Sequence, residues 1–299
     1  MEDHGPANAQ QVLPNNTSLP SAVSDAVSVL VTGFGVSSSS TKILNPGRKL
    51  TTNQPFKTHL VNASFLIASS LPSTIALPAP DSRCNISVHV HPSPIPVSYS
   101  SVRETISAIL DDFANSHAGL RPDIIIHIGI ASTQPCYIVE TQAHRDSYNQ
   151  ADINGRSGNE DGEKIWRKKG FPGLLRPGPA ASATILKMAT TRDFSQQIDQ
   201  CHPSSKVVAY PPNNHFLSTW KSFVPLHADL RISYDAGRYL CEFIFYTTMS
   251  QLMSEGRDRN VIFFHVPDSC DDGDIEMGRK VAVALIKTLV TCWIEEAKT

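Results

Sequence analysis

The chain has 299 residues, 40% of them apolar, and its 26 basic against 28 acidic side chains leave a formal net charge of -2. That is enough apolar material for a sizeable core in one large or two small domains. The near-neutral balance offers no basic footprint for nucleic acid or an anionic membrane, and the longest apolar runs, such as DIIIHIGI and VIFFHV, are strand-length and too short to span a bilayer.

Residues 1–26 are polar and rich in Pro and Asn without an apolar period, and read as a disordered tail ahead of a single domain over 27–299. This start lacks the basic and apolar regions of a signal peptide, so a cytoplasmic setting is expected. VSVLVTG reads as a buried first strand that ends in a Gly-Phe-Gly turn and runs into serines. VNASFLIASSLP follows as a helix capped by Asn62, and NISVHVHPSPIPV alternates as a strand until its prolines stop it. In SSVRETISAILDDFANSH the set Val102, Ile106, Ile109, Phe113 marks one helical face, with Ser101 and Glu104 spaced as a capping box.

RPDIIIHIGIAS is apolar and β-branched, as a central strand covered on both faces should be. ASATILKMATT reads as a shorter helix, and VVAYPPNNHFLSTWKSFVPLH as an irregular surface excursion. DLRISYD is a strand, AGRYLCEFIFYTTMSQLM a helix and NVIFFHVP another strand. The closing helix carries Met277, Val281, Leu285, Leu289 and Trp293 on one stripe. Strands alternating with helices predict the α/β class, a sandwich around a twisted, mostly parallel open sheet. No internal repeat, GxGxxG, P-loop, HExxH or GxSxG occurs, so nucleotide, zinc-protease and serine-hydrolase readings lack their usual anchors.

The six cysteines are scattered without CxxC pairs, which fits neither a disulfide framework nor a zinc site, and His89 with His91 would make only a two-ligand pair. Cys241 stands out because it lies near the start of a helix, just past a turn containing Asp235 and Gly237, where amides and the helix dipole favour a thiolate. The competing reading is a small buried hydrophobe. A thiol nucleophile needs a base, and His265 sits at the carboxyl end of a strand, the edge where open α/β sheets place their sites. Glu140, just beyond the central strand and assigned to the same sheet edge, could hold the imidazole, or be an ordinary solvated carboxylate.

The segments SYDAGRYLCEFIFY, FFHVP, HIGI followed by IVETQAHRDSYNQAD, and VLVTGFG resemble those of pyroglutamyl-peptidase I, a cysteine peptidase family, at similar spacing. The resemblance runs from about Val27 to the end and is weakest between Gly155 and Ala228. It implies a three-layer α/β/α sandwich of the phosphorylase/hydrolase-like kind. It also implies removal of an N-terminal pyroglutamyl residue from peptides, with Cys241 as nucleophile, His265 as general acid/base and Glu140 orienting the imidazole. No metal or cofactor is called for, and the partners expected are peptides rather than nucleic acid or membrane. The family holds the lactam with two phenylalanines of a TGFxPF turn and with side chains just before the cysteine; Phe34, Tyr239 and Leu240 match, while the second turn phenylalanine is displaced to Phe56.

Joining Gly35 directly to Pro55 regenerates VTGFGPFKTHLVNASFLIA, so residues 36–54 read as an insertion. A surface loop would explain it, and so would a retained intron. The nineteen residues correspond to 57 in-frame nucleotides, Val36-Ser37 can be encoded by a donor-like GTAAGT and Gln54 by an acceptor-like CAG. The intron is the preferred explanation, since structureless loops beyond about 12–15 residues are uncommon in compact domains. Two functional alternatives stand beside the peptidase: a catalytically inactive homologue whose pocket the insertion disrupts, and a Cys-based amidase of other specificity.

Overall fold

A computed structural model of the chain describes residues 26–35, 62–77, 85–131, 134–180, 211–225 and 227–295. In chain order the elements are β1 (Val27–Gly33), α1 (Ala63–Ser69), β2 (Thr74–Ala76), β3 (Asn85–Val90), α2 (Tyr99–Ser116), β4 (Ile124–Ile130), β5 (Tyr137–Glu140) and β6 (Ala143–His144). They continue with a single π-helical turn (Asn159–Glu163), α3 (Lys164–Lys168), β7 (Leu174–Leu175), α4 (Asn214–Phe223), β8 (Leu230–Ser233), α5 (Leu240–Ser254), β9 (Val261–Val266) and α6 (Asp272–Leu289).

Seven strands form one sheet in the order β2-β3-β1-β4-β9-β5-β8, and β6 pairs with β7 apart from it. The run β3-β1-β4-β9 is parallel, β5 turns antiparallel against β9, and β8 follows β5 in parallel. β4 sits in the middle with every residue buried, which is why its sequence is apolar without alternation.

Alternate residues of each strand feed two separate cores. On one face Val29 and Val31 of β1, Ile126 and Ile128 of β4 and Phe264 of β9 pack under α1, α4 and α6. On the other, Leu30, Ile125 and Phe263 pack under α2, α5 and Trp166 of α3. The architecture is therefore the expected three-layer α/β/α sandwich.

Two local readings are corrected. The Ser101–Glu104 capping box does not form, because α2 starts earlier, at Tyr99 after Ser98, and its first amide is instead capped across the fold by Asp152 Oδ2 at 3.0 Å. The segment read as a surface excursion contains α4, started by Asn213, whose side chain accepts from the amides of His215 and Phe216. One helical turn apart, Phe216 and Trp220 are fully buried against the sheet. Two prolines mask a short amphipathic helix in the sequence. Elsewhere Asn62 does cap α1, accepting from Ser64 N–H at 2.9 Å, and Val281, Leu285, Leu289 and Trp293 are buried in line along and beyond α6. ASATILKMATT lies outside the described residues, as do residues 1–25 and the segment 36–54. No helix among the described residues is long and apolar enough to cross a membrane.

Candidate active site

The turn before α5 sets where Cys241 falls. Asp235 Oδ1 accepts from Gly237 N–H at 3.1 Å, and Gly237 adopts a φ of 77°, which glycine tolerates without strain. Arg238 Nη1 donates to the same Asp235 oxygen at 2.7 Å. This local structure keeps the chain out of helical conformation until Leu240, four residues later than the apolar pattern suggests. Cys241 is thereby the second residue of α5, and the amides of Leu240, Cys241 and Glu242 occupy the first turn, where no intrahelical carbonyl can accept from them. An anion is favoured at such a helix start.

His265 is the penultimate residue of β9, at its carboxyl end as expected, and lies opposite Gly129 of β4 and Ile138 of β5. Glu140 is placed differently from the sequence reading. Because β5 runs antiparallel to β9, the end of β5 points away from the carboxyl edge, and Glu140 lies opposite Phe263, one pleat further into the sheet. Residues two apart on a strand share a face, so Glu140 reaches His265 on the diagonal, with Oε1 accepting from Nδ1 at 2.9 Å. Both side chains are buried, and Glu140 Oε2 has no hydrogen-bond partner among the described residues.

The Cys241 sulfur stands beside Gly129, the β4 residue paired with His265, so the structure brings Cys241, His265 and Glu140 together from α5, β9 and β5. Burial alone would lower the pKa of His265; the charge and hydrogen bond of the Cys241 sulfur, followed by those of Glu140, more than offset it and hold the ring at about 9. The surroundings thus favour the protonated ring, whose Nδ1 proton faces Glu140.

Space for this arrangement depends on Gly129. A Cβ there would stand 2.5 Å from Phe263 Cζ and 3.2 Å from Cys241 Sγ, so only glycine lets the ring and the sulfur approach β4 together. Phe263 in turn packs edge-on against His265 with ring centroids 4.7 Å apart. Below Gly129 on the same face lies His127, fully enclosed between Thr32 Oγ1 at 2.7 Å and Thr248 Oγ1 of α5 at 2.9 Å. Sequence alone does not single out Gly129, Phe263 or His127, because nothing local marks them: each matters through a partner more than 90 positions away or across the sheet.

Of the expected substrate-binding residues, Phe34 is buried 6.5 Å from the Phe263 ring, centroid to centroid. Its amide donates to Ser64 Oγ at 3.2 Å, and that hydroxyl lies 2.6 Å from Asn62 Oδ1 at the start of α1. Leu240 is buried in the core under α5, and Tyr239 packs edge-on against Tyr99 with centroids 6.0 Å apart. Burial first, then the charges of Asp152 and Cys241, push the Tyr239 phenol up to about 12, so it remains neutral. Phe56 lies outside the described residues.

Among curated proteins, the chain is 26% identical over 239 residues to pyroglutamyl-peptidase 1 of Mus musculus and equally to that of Homo sapiens, covering 80% of this chain and 78% of each relative. Among solved structures it is similar to the pyrrolidone carboxyl peptidase from Thermococcus litoralis, with a TM-score of 0.55 and 17% identity over 91% of this chain and 96% of that one. A mutant pyrrolidone carboxyl peptidase from the hyperthermophile Pyrococcus furiosus gives a TM-score of 0.53 at 18% identity, covering 89% of this chain and 99% of the other. No family model matches the chain. The resemblance read from the Cys and His segments therefore holds across most of the chain, and the sandwich is the fold of these peptidases.

Proposed function

We propose that the chain is a cysteine omega-peptidase that removes an N-terminal pyroglutamyl (5-oxoprolyl) residue from peptides by way of an acyl-thioenzyme. The observation that carries this reading is His265, which bonds to Glu140 at 2.9 Å and lies opposite Gly129, the residue the Cys241 sulfur packs against. A nucleophile, a base and an orienting group gathered at one place are what thiol acyl transfer requires. The pyroglutamyl-peptidase relatives supply the substrate class.

In this mechanism the Cys241 thiolate attacks the exocyclic carbonyl carbon of the pyroglutamyl residue. The developing oxyanion is met by first-turn amides of α5. His265 gives its proton to the leaving nitrogen as the C–N bond breaks, and the shortened peptide departs with a free amino terminus. The now neutral imidazole takes a proton from water, the resulting hydroxide attacks the thioester carbonyl, and pyroglutamate leaves as the Cys241 thiolate and His265 imidazolium are restored. Glu140 fixes the ring orientation throughout. A pyroglutamyl residue carries no free amine, so its uncharged lactam calls for a mainly apolar pocket, to which we assign Phe34, Phe56, Tyr239 and Leu240. A cytoplasmic setting suits a catalytic cysteine, since thiols stay reduced there. Residues 36–54 are read as an insertion into this pocket's turn, within one domain spanning 27–299.

The test is release of a fluorescent amine from a pyroglutamyl amide, with prolyl and glutamyl amides as controls. Turnover of the pyroglutamyl substrate alone, blocked by iodoacetamide and lost in Cys241→Ser without a change in melting temperature, is the expected outcome. Undiminished activity in Cys241→Ser would refute the assignment, and a reactive thiol without pyroglutamyl turnover would favour an amidase of other specificity.

A further inference from the structure

The residue after Cys241 is a glutamate with no exposed surface, in a core otherwise built from Phe243, Tyr148 and Trp166. Placing a carboxylate there is costly unless its oxygens are satisfied. Glu242 Oε1 accepts from the backbone amide of His144 at 3.0 Å and from His144 Nδ1 at 2.7 Å. Arg238 Nη1 donates to Oε2 at 2.8 Å and approaches Oε1 at 3.1 Å, and it also bonds to Asp235. One side chain thus ties the first turn of α5 to β6 on one side and to the 235–239 turn on the other. His144 is held in its turn by the Tyr148 hydroxyl, which donates to its carbonyl.

The position of His144 gives this network its meaning. It follows Glu140 by four residues, so a single short stretch, 140–144, bonds to both reacting partners' supports: Glu140 to His265, and His144 to the residue beside Cys241. An apolar side chain at 242 would fill the core but would leave the first turn of α5 unregistered against that stretch. We infer that Glu242, with His144 and Arg238, is a positioning residue that sets Cys241 and the first-turn amides against the Glu140–His265 pair from one shared segment. This rests on the reading of Cys241 as the nucleophile.

Glu242→Gln keeps the volume but loses the charge that holds Arg238 and His144 together. Its kcat on the pyroglutamyl amide, expressed per folded molecule as measured by circular dichroism and Trp fluorescence, should fall about 10–100-fold, the range seen when groups behind a metal-ligating residue are removed. KM should change by a smaller factor than kcat, because Phe34 of the assigned pocket is held from β1, α1 and β4 and not by this network. His144→Asn, altering the less buried partner, should lower kcat similarly, and the double variant should be no worse than the more affected single one, as expected of groups acting as a unit. A Glu242→Gln or His144→Asn enzyme with unaltered kcat per folded molecule, or losses that multiply in the double variant, would overturn the inference while leaving the peptidase reading intact. Absence of pyroglutamyl turnover in the parent chain would instead remove that reading, and the inference with it.

Discussion

Acidification should cost this protein stability through one ring, that of His127. The imidazole lies between Thr32 Oγ1 at 2.7 Å and Thr248 Oγ1 at 2.9 Å, and is almost completely shielded from solvent. Thr248 has a single hydroxyl proton, which it donates to the Ile244 carbonyl at 3.0 Å. It must therefore accept from His127 Nε2–H, leaving Nδ1 to accept from Thr32. The neutral ring is fully satisfied this way, and a second proton would have no acceptor. Burial accordingly lowers the pKa from 6.5 to about 3. Between these values the unfolded chain binds one proton more than the folded one, so stability falls as pH falls, by about 1.4 kcal/mol per pH unit once below pH 6.5. Integrated from pH 7 to pH 5, the loss from this ring is about 2 kcal/mol. Urea unfolding followed by the fluorescence of the buried Trp166 and Trp220 reads it directly. His127→Gln offers a donor and an acceptor but does not titrate, so the stability gap between parent and variant should shrink by about 2 kcal/mol over that interval. Parallel pH dependences for the two proteins would refute the argument.

The His265 pKa of about 9 predicts the opposite limb. Being raised above 6.5, it contributes stability that is complete below pH 6.5 and is lost as pH rises through about 9; kcat/KM should fall over the same upper range as the imidazolium that protonates the leaving amine disappears, and a profile flat to about pH 10 would contradict it. Glu140→Gln should lower kcat by about 10²–10⁴-fold and move that alkaline limb to lower pH, since one of the groups holding the ring charged is gone; titrating kcat/KM of the variant from about pH 6 to 10 checks both. Deleting residues 36–54 should leave the pyroglutamyl amide a substrate, and a fluorogenic assay of the two chains side by side would show whether turnover is preserved or gained; loss of all turnover in a folded deletion variant would contradict the insertion reading.

What can be read from the sequence is whatever a single segment encodes by itself. β4 announces its burial through an unbroken apolar run, α6 through its stripe, and Cys241 through a turn-then-helix pattern. Features that depend on a distant partner are invisible or misread. Ser101 and Glu104 have capping-box spacing, yet Asp152 caps α2 from 53 residues away. For Glu140 the sequence reading has the right partner but puts the residue at the sheet edge when it lies one pleat inside, because strand direction is a property of the sheet and not of the strand. Trp220 is lost in a Pro-rich stretch because two prolines weigh heavily in any local reading, whereas Asn213 and the one-turn spacing of Phe216 and Trp220 are the signal that matters. Glu242 would need foreknowledge that His144 folds beneath it.

The interrupted turn shows the same division from the other side. Gly33 is required because a Cβ there would lie 2.7 Å from Phe65 Cα, and Gly35 because one would lie 2.8 Å from Pro94 Cβ. Phe34, between them, is held through its amide by Ser64 and the Ile128 carbonyl, while Gly35 N–H bonds to the Ile95 carbonyl and Ile95 N–H to that of Gly33. These contacts come from β1, α1, β4 and the segment after β3. The half of the aromatic clamp assigned to Phe34 is thus built by parts of the fold on either side of the interruption. If residues 36–54 are an insertion between Phe34 and Phe56 as proposed, deleting them is expected to change KM for the lactam substrate more than the alkaline limb set by His265, and equal shifts in both would contradict that division.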